Sequence, residues 1–259
     1  MKQRISLNLF LLLFCALSFF GCRPHYLIQE PKTVTGVIAI DSTLPLTGDS
    51  ISLLIIEPYK AAMEAEMNEV LAYSETPIVK DQPEGALGSL VADIVLTMTS
   101  EYYLAQGGQA IDFCLLNNGG LRSSLPKGEI KTRNIFELMP FENKLVVMQI
   151  SGQNAKKLFD FIARSGGMPV AGVRMGIKED KAVNITVGQQ AFDSTRTYLV
   201  ATSDYLAEGG DDMRFFNNPL QKIELKQKIR EAIIEFLRRT TAEGKTIDAR
   251  TDNRVYYEK

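Results

Sequence analysis

The chain has 259 residues, which is enough for one large domain or two small ones, and 45% of them are hydrophobic. Its formal net charge is −2 and the sequence contains no long basic patch, so nothing in it indicates binding to a nucleic-acid polymer.

The first 22 residues have the pattern of an export signal: a basic start, an apolar stretch over residues 5–20, and Gly21-Cys22. The ending resembles a bacterial lipobox, in which Cys22 becomes the lipidated first residue, although Phe19 and Phe20 depart from the usual pattern. We therefore predict a lipoprotein signal peptide (1–22), a tether (23–32) and a lipid-anchored protein of the bacterial cell envelope, facing the periplasm or on the outer membrane. An uncleaved anchor helix and ordinary secretion are the alternatives.

After the tether, the sequence predicts one continuous domain over residues 33–259, with α+β architecture: mixed β-sheets flanked by helices. Two β-rich pieces, 34–40 and 51–56, are followed by a helix over 57–71 whose spaced methionines favour core packing. The elements predicted after that helix are, in order, a helix ending near 106, a strand at 111–116, a short helix after 134, a strand at 144–150, a helix at 153–164, strands at 173–177, 182–187 and 198–202, and a helix near 225–241.

The most informative stretch is residues 112–122. Its apolar run predicts a buried strand, which stops at Asn117-Asn118-Gly119-Gly120, where Asn and Gly tolerate a left-handed backbone and Gly allows a ligand to come close. Arg122 then offers a planar fork of donors to a carboxylate, a phosphate or an aromatic face. On the local pattern alone, an ordinary turn with a surface arginine is the favoured interpretation. Cys114, within the strand, is expected to be core rather than a nucleophile.

The same stretch resembles the "NGGGIR" signature of the C-terminal domain of 5′-nucleotidases and UDP-sugar hydrolases. Other landmarks follow in the order of that family: the helix at 57–71 resembles the helix that joins the two domains of the family, and residues 84–93 resemble its "E…LGNLVAD" helix start. Met139-Pro140-Phe141 matches its "PF" step, and the segment from Tyr205 to Asp211 matches "F…GGD". The resemblance covers roughly residues 57–238 and implies a fold like that C-terminal domain.

The resemblance also implies a substrate-binding site. In the family, two aromatic rings sandwich the base of the substrate, and Phe141 and Tyr205 match those rings. Asp211 matches the carboxylate that accepts hydrogen bonds from ribose hydroxyls, Asn117 a base-contacting amide, and Arg122 an arginine near the phosphate. Stacking suits this task because it contributes about 1–3 kcal/mol per base and tolerates different bases.

Two departures from the family limit what the chain can do alone. As aligned, Pro83 stands where the family places a further phosphate-binding arginine. Phosphate should therefore bind more weakly to this chain than to family members that have this arginine. The chemistry of the family belongs to a separate N-terminal metallophosphoesterase domain that binds two metals through Asp, Asn and several His, whereas this sequence has a single histidine, His25, in the tether. Since a two-metal site needs a dense cluster of ligands, we predict no catalytic residue, no metal site and no cofactor in this chain, with divalent metals only in a partner.

The sequence therefore leaves open whether the chain acts as an enzyme. One interpretation is the nucleotide-recognition domain of a split 5′-nucleotidase-type hydrolase, acting in nucleotide catabolism with a separately encoded metallophosphoesterase. The alternative is a stand-alone envelope lipoprotein that binds nucleosides or nucleotides without enzymatic role. A degenerate scaffold is a third, weaker interpretation.

Overall fold

The computed structural model describes residues 50–247 and 249–259, together with residue 36. The signal, the tether and the strand predicted at 34–40 therefore lie outside the residues described, apart from residue 36. In the described part, the helices are α1 (Ser50–Met67), α2 (Ala86–Ala105), α3 (Thr132–Leu138), α4 (Gly152–Arg164), α5 (Asp204–Ala207) and α6 (Ile229–Ala242).

The strands of the described part form three sheets, and the α+β architecture is confirmed. Their bounds are β1 (Val70–Ser74), β2 (Phe113–Leu115), β3 (Gly128–Lys131), β4 (Lys144–Ser151), β5 (Val170–Ala171), β6 (Val173–Lys178), β7 (Lys181–Val187), β8 (Gln190–Ala191), β9 (Thr197–Ser203), β10 (Gln221–Lys228) and β11 (Val255–Tyr257). β1 pairs with β3, and β6 lies between β11 and β7 in a four-stranded sheet that β8 completes.

The central sheet has five strands in the order β10-β4-β9-β2-β5. β2 and β9 run parallel, whereas the other neighbours run antiparallel. Alternate residues of its strands enter two different cores: Cys114 and Val147 face α2 and α6, while Phe113 and Met148 face α4. Because both faces are covered, β2 reads as a continuous apolar run, as the sequence predicted. Burial raises the pKa of the Cys114 thiol, in keeping with a core residue.

Three predictions are wrong at the N-terminal side of the domain. Residues 51–56 are helical and belong to α1, because a short apolar run has no period that separates strand from helix. α1 ends at Met67, and Val70 already belongs to β1. The methionine stripe is not core either, since Met63 is exposed.

α1 exposes large apolar side chains, with Leu54 75% and Tyr59 77% accessible to solvent. Contiguous exposed apolar surface of this kind marks interaction sites in many soluble proteins. Within the described residues, no helix combines the length and hydropathy that crossing a bilayer requires.

The last predicted helix begins later than expected. Leu225 lies in β10, whose residues alternate between apolar and charged side chains, as in Ile223-Glu224-Leu225-Lys226. That period of two indicates a strand, and the helix α6 starts only at Ile229. The strands β1, β3, β5, β8 and β11 were also not predicted.

Candidate functional site

A cavity of about 630 Å³ opens at one edge of the central sheet. The parallel strands β2 and β9 both end at this edge, and β4, which runs antiparallel to β9, begins there, with Leu145 paired to Ser203. β10 ends there too, because Lys228 pairs with Lys144. Four chain segments therefore meet at the cavity, in the position where open sheets commonly hold ligands. The lining residues are Leu116, Asn117, Gly119, Gly120, Leu121, Arg122, Met139, Phe141, Glu142, Asn143, Ser203, Tyr205, Asp211 and Ile229.

All five residues that the resemblance singled out line this one cavity: Asn117, Arg122, Phe141, Tyr205 and Asp211. They come from three separate turns, and the largest separation between them is 94 residues, from Asn117 to Asp211. The structure brings them together, while their roles towards a ligand remain predictions. Cys22 lies outside the described residues.

The glycine-rich turn after β2 places Asn117 and Arg122. The backbone N–H of Gly120 donates to the carbonyl of Asn117 at 3.2 Å, closing a short 3₁₀ turn. A side chain at Gly120 would put a Cβ only 2.8 Å from Oδ1 of Asn117, so glycine leaves the room that the Asn117 amide occupies. The N–H of Arg122 donates to the carbonyl of Leu138 at 2.8 Å, which ties this turn to the end of α3.

The turn after β9 places Tyr205 and Asp211. Ser203 caps α5 by accepting a hydrogen bond from the N–H of Leu206 at 3.2 Å. Gly209 has φ +89°, and a Cβ on Gly210 would lie 2.6 Å from the Tyr205 ring. The two glycines therefore let the chain turn back closely against the ring, and Asp211 follows in the left-handed region at φ +52°.

The carboxylate of Asp211 is the centre of a polar network. Nδ2 of Asn117 donates to its Oδ2 at 2.6 Å, and the Tyr205 hydroxyl donates to its Oδ1 at 2.7 Å. The hydrogen bond to the Asp211 carboxylate raises the pKa of Tyr205. Each carboxylate oxygen keeps a further lone pair, so a ligand hydroxyl can still donate to Asp211.

Phe141 lies on the turn Met139–Asn143 between α3 and β4. Phe141 is 41% exposed and Tyr205 47%, so neither ring is a core residue. Nδ2 of Asn143 donates to Oδ1 of Asp204 at 2.8 Å, and the same oxygen accepts the N–H of Tyr205 at 2.8 Å. One carboxylate therefore links the Phe141 turn to the Tyr205 turn.

Sequence reasoning missed Asn143 and the apolar lining of the cavity. Asn143 stands two residues after Phe141, and that spacing was the available signal. Leu116, Met139 and Ile229 add apolar surface, which together with a few convergent polar groups is typical of small-molecule sites.

The described side chains that line the cavity carry more carboxylates than cations. Among the described lining residues Arg122 is the cation, whereas Glu142 and Asp211 are carboxylates. Pro83 lies outside this cavity, in a smaller cleft with Glu84 and Met168. The described residues also contain no group of three or more His, Cys, Asp or Glu side chains that could hold a metal ion.

Comparison with known proteins places this geometry in context. The family model of the 5′-nucleotidase C-terminal domain matches residues 68–218. The chain is 26% identical over 176 residues to a 5′-nucleotidase of Vibrio parahaemolyticus, covering 64% of this chain and 30% of that protein. It is 32% identical over 117 residues to the protein UshA of Salmonella pullorum, covering 42% of this chain and 21% of that protein.

Solved structures share the fold. A 5′-nucleotidase precursor from Thermus thermophilus matches with a TM-score of 0.67 at 23% identity, covering 80% of this chain and 43% of that one. The NAD nucleotidase of Haemophilus influenzae matches with a TM-score of 0.60 at 20% identity, covering 81% and 41%. The chain thus spans at most about a third of the length of these two curated relatives and less than half of either solved chain.

Proposed function

This chain belongs to the family of the 5′-nucleotidase C-terminal domain, and from that premise we propose that its cavity binds the nucleoside part of a nucleotide. One observation supports this proposal above all. Two half-exposed rings, Phe141 and Tyr205, line the same cavity as a hydrogen-bonded amide and carboxylate, Asn117 and Asp211. The two rings can stack on a base. The amide can form a hydrogen bond with the edge of the base, and the carboxylate can accept one from a sugar hydroxyl.

The biochemical role that we propose is the recognition domain of a split 5′-nucleotidase-type hydrolase in nucleotide catabolism. A separately encoded metallophosphoesterase would supply the two metals and the attacking water. The proposal draws on the single histidine of the sequence, which cannot build a two-metal site. The present chain would bind and orient the nucleoside, and the partner would hydrolyse the phosphate ester.

The partner would need a surface on this chain, and α1 offers one. Leu54 and Ile55 are exposed on it, at 75% and 63%. α1 directly precedes the part that matches the family model, and its C-terminal half lies where the resemblance places the helix joining two domains. We therefore include α1 in the proposed contact with the metallophosphoesterase.

An envelope binding protein without enzymatic role is the second candidate. It is favoured by the charge of the cavity, where Arg122 is the cation among the described lining residues and Pro83 replaces an expected arginine. Such a site would hold a nucleoside about as well as a nucleotide. In both candidates, the lipid anchor at Cys22 and the envelope location belong to the proposal.

Co-purification from the native envelope separates the two candidates. The full chain, carrying a C-terminal tag, is captured, and the eluate is assayed for AMP hydrolysis with and without a chelator. If the chain works with a metallophosphoesterase, the eluate should show chelator-sensitive hydrolysis of AMP that is lost with the α1 variant Ile55→Ser. Adenosine binding without any co-purifying hydrolysis would favour the binding protein, and absence of both would contradict both candidates.

A further inference from the structure

Arg230, in the first turn of α6, is a buried arginine that sequence reasoning did not single out. It is 6% exposed. Burying a guanidinium is costly unless its donors are satisfied, so the groups that it contacts indicate why it is there. The position of Arg230 in the first turn of α6 does not explain its burial, because the helix N-terminus is the positive end of the helix dipole and disfavours a cation.

The donors of Arg230 are directed at the turn that carries Phe141. Nη1 donates to the carbonyl of Met139 at 3.2 Å and to that of Phe141 itself at 3.1 Å. Nη2 donates to the carboxylate of Glu142. The guanidinium also lies over the ring of Phe136, at 4.2 Å from the ring centroid, in a cation–π arrangement.

The Phe141 ring depends on this backbone support. Because Phe141 is 41% exposed, its own packing contributes little to its position. Two backbone hydrogen bonds close the turn: the N–H of Met139 donates to the carbonyl of Ile135 at 2.9 Å, and the N–H of Ile229, next to Arg230, donates to that of Asn143 at 2.9 Å. Arg230 adds hydrogen bonds to the carbonyls of Met139 and Phe141 within this turn.

We propose that Arg230 is a positioning residue for ligand binding: it holds the Phe141 ring at the cavity without lining the cavity itself. This inference rests on the proposed nucleoside site. Lysine cannot replace it, because bonding two carbonyls and one carboxylate while stacking on Phe136 needs a planar fork of donors, whereas an ammonium is a point charge.

A double-mutant cycle tests the inference with adenosine as the probe and the purified full chain as the protein. Arg230→Lys should weaken adenosine binding about three- to tenfold, a fraction of the full effect of losing one stacking ring. In a Phe141→Ala background the same change should have no further effect, because Arg230 acts through that ring. An equal loss in both backgrounds, or unchanged affinity of Arg230→Lys, would overturn the proposal.

Arg254 provides the matched control. Its side chain is 12% exposed, and it donates to the carbonyl of Val170 at 3.0 Å and to Asp93 at 2.7 Å, away from the cavity. Arg254→Lys should lower the free energy of unfolding yet leave adenosine affinity unchanged. If Arg230→Lys does not fold, Phe136→Leu removes the ring beneath the guanidinium and should show the same dependence on Phe141 with a smaller loss.

A ligand-free readout separates this inference from the proposed function. In Arg230→Lys, amide hydrogen exchange of Met139 and Ile229 should be faster than in the wild type, whereas Arg254→Lys should leave both unchanged. If wild-type protein binds no adenosine, the nucleoside site is wrong, and the exchange data still decide whether Arg230 fixes the turn. Unchanged exchange at both amides would overturn the positioning role.

Discussion

Asn117 and Asp211 are 94 residues apart in the sequence, yet Nδ2 of Asn117 donates to Oδ2 of Asp211 at 2.6 Å. The two residues follow β2 and β9, which are parallel neighbours and end at the same edge of the central sheet. The hydrogen bond fixes the orientation of both groups before a ligand arrives. A preorganised amide and carboxylate lose less conformational entropy on binding than two free side chains would.

The hydroxyl of Tyr205 is expected to assist Asp211 in binding a ribose. Tyr205→Phe keeps the ring and removes the donor to Oδ1 of Asp211. Adenosine affinity should fall about three- to tenfold, as expected for the net contribution of one ordinary hydrogen bond, while 2′,3′-dideoxyadenosine affinity should change little. Calorimetric titration with both ligands measures this. Equal changes for both ligands would show that the hydroxyl does not act through the sugar.

Phe141 is expected to contribute stacking without contributing much to stability. Phe141→Ala should weaken adenosine binding by about 1–3 kcal/mol. The free energy of unfolding should change little, since Phe141 is 41% exposed. Tyr257→Ala is the matched control, because Tyr257 is an exposed ring on β11 outside the cavity. If both variants bind adenosine as the wild type does, Phe141 is not a stacking ring.

The purified chain alone should not hydrolyse AMP in the presence of Mg²⁺, Mn²⁺ or Zn²⁺. The physical reason is the ligand set: the sequence has one histidine, and the described residues contain no cluster that could hold a metal. A phosphate-release assay with each metal checks this. Robust turnover that a chelator abolishes, and that persists through further purification, would contradict the prediction.

The turn that carries Phe141 should weaken in acid. Hydrogen bonds from Lys228 and then Arg230 hold the pKa of Glu142 below its ordinary value of 4.5. A lowered pKa in the folded state adds stability above pH 4.5 that is lost as the pH falls through the folded-state pKa. The free energy of unfolding of the wild type and of Glu142→Gln is measured with urea from about pH 7 to about pH 3. The difference between the two should become smaller below pH 4.5, the ordinary pKa of a glutamate. A gap that stays constant would show that the ion pairs do not contribute.

Cys22 is expected to carry the membrane anchor. The Gly21-Cys22 ending resembles a lipobox, so Cys22→Ala should move the protein from the membrane into the soluble envelope fraction. Fractionation followed by immunoblotting measures the shift. If the variant stays with the membrane and keeps its N-terminal apolar segment, that segment itself is the anchor.

The sequence predicted those parts of the fold whose pattern is local. Residues 113–116 form an apolar run that ends in Asn and Gly, and the strand β2 and its turn follow from that run. The helix α2 ends at Ala105, before the glycines at 107 and 108, as predicted. Residues 51–56 were assigned wrongly because a short apolar run has no period, and β10 was missed because its alternation lies directly before a helix.

The site was also predictable only where its residues stand in local sequence motifs. Asn117, Arg122, Phe141, Tyr205 and Asp211 stand in short motifs whose order in the chain resembles a known family. Arg230 stands in no such motif. Its role depends on the approach of α6 to the Phe141 turn, which is a long-range contact across 89 residues that no local pattern encodes.

An equilibrium titration of the purified full chain with adenosine, with AMP in parallel, tests the nucleoside site most directly. We expect saturable binding of adenosine that is weakened by about 1–3 kcal/mol in Phe141→Ala. We expect a similar, modest affinity for AMP because Arg122 is the cation among the described lining residues. No binding of either ligand at millimolar concentration would contradict the assignment of this cavity as a nucleoside site.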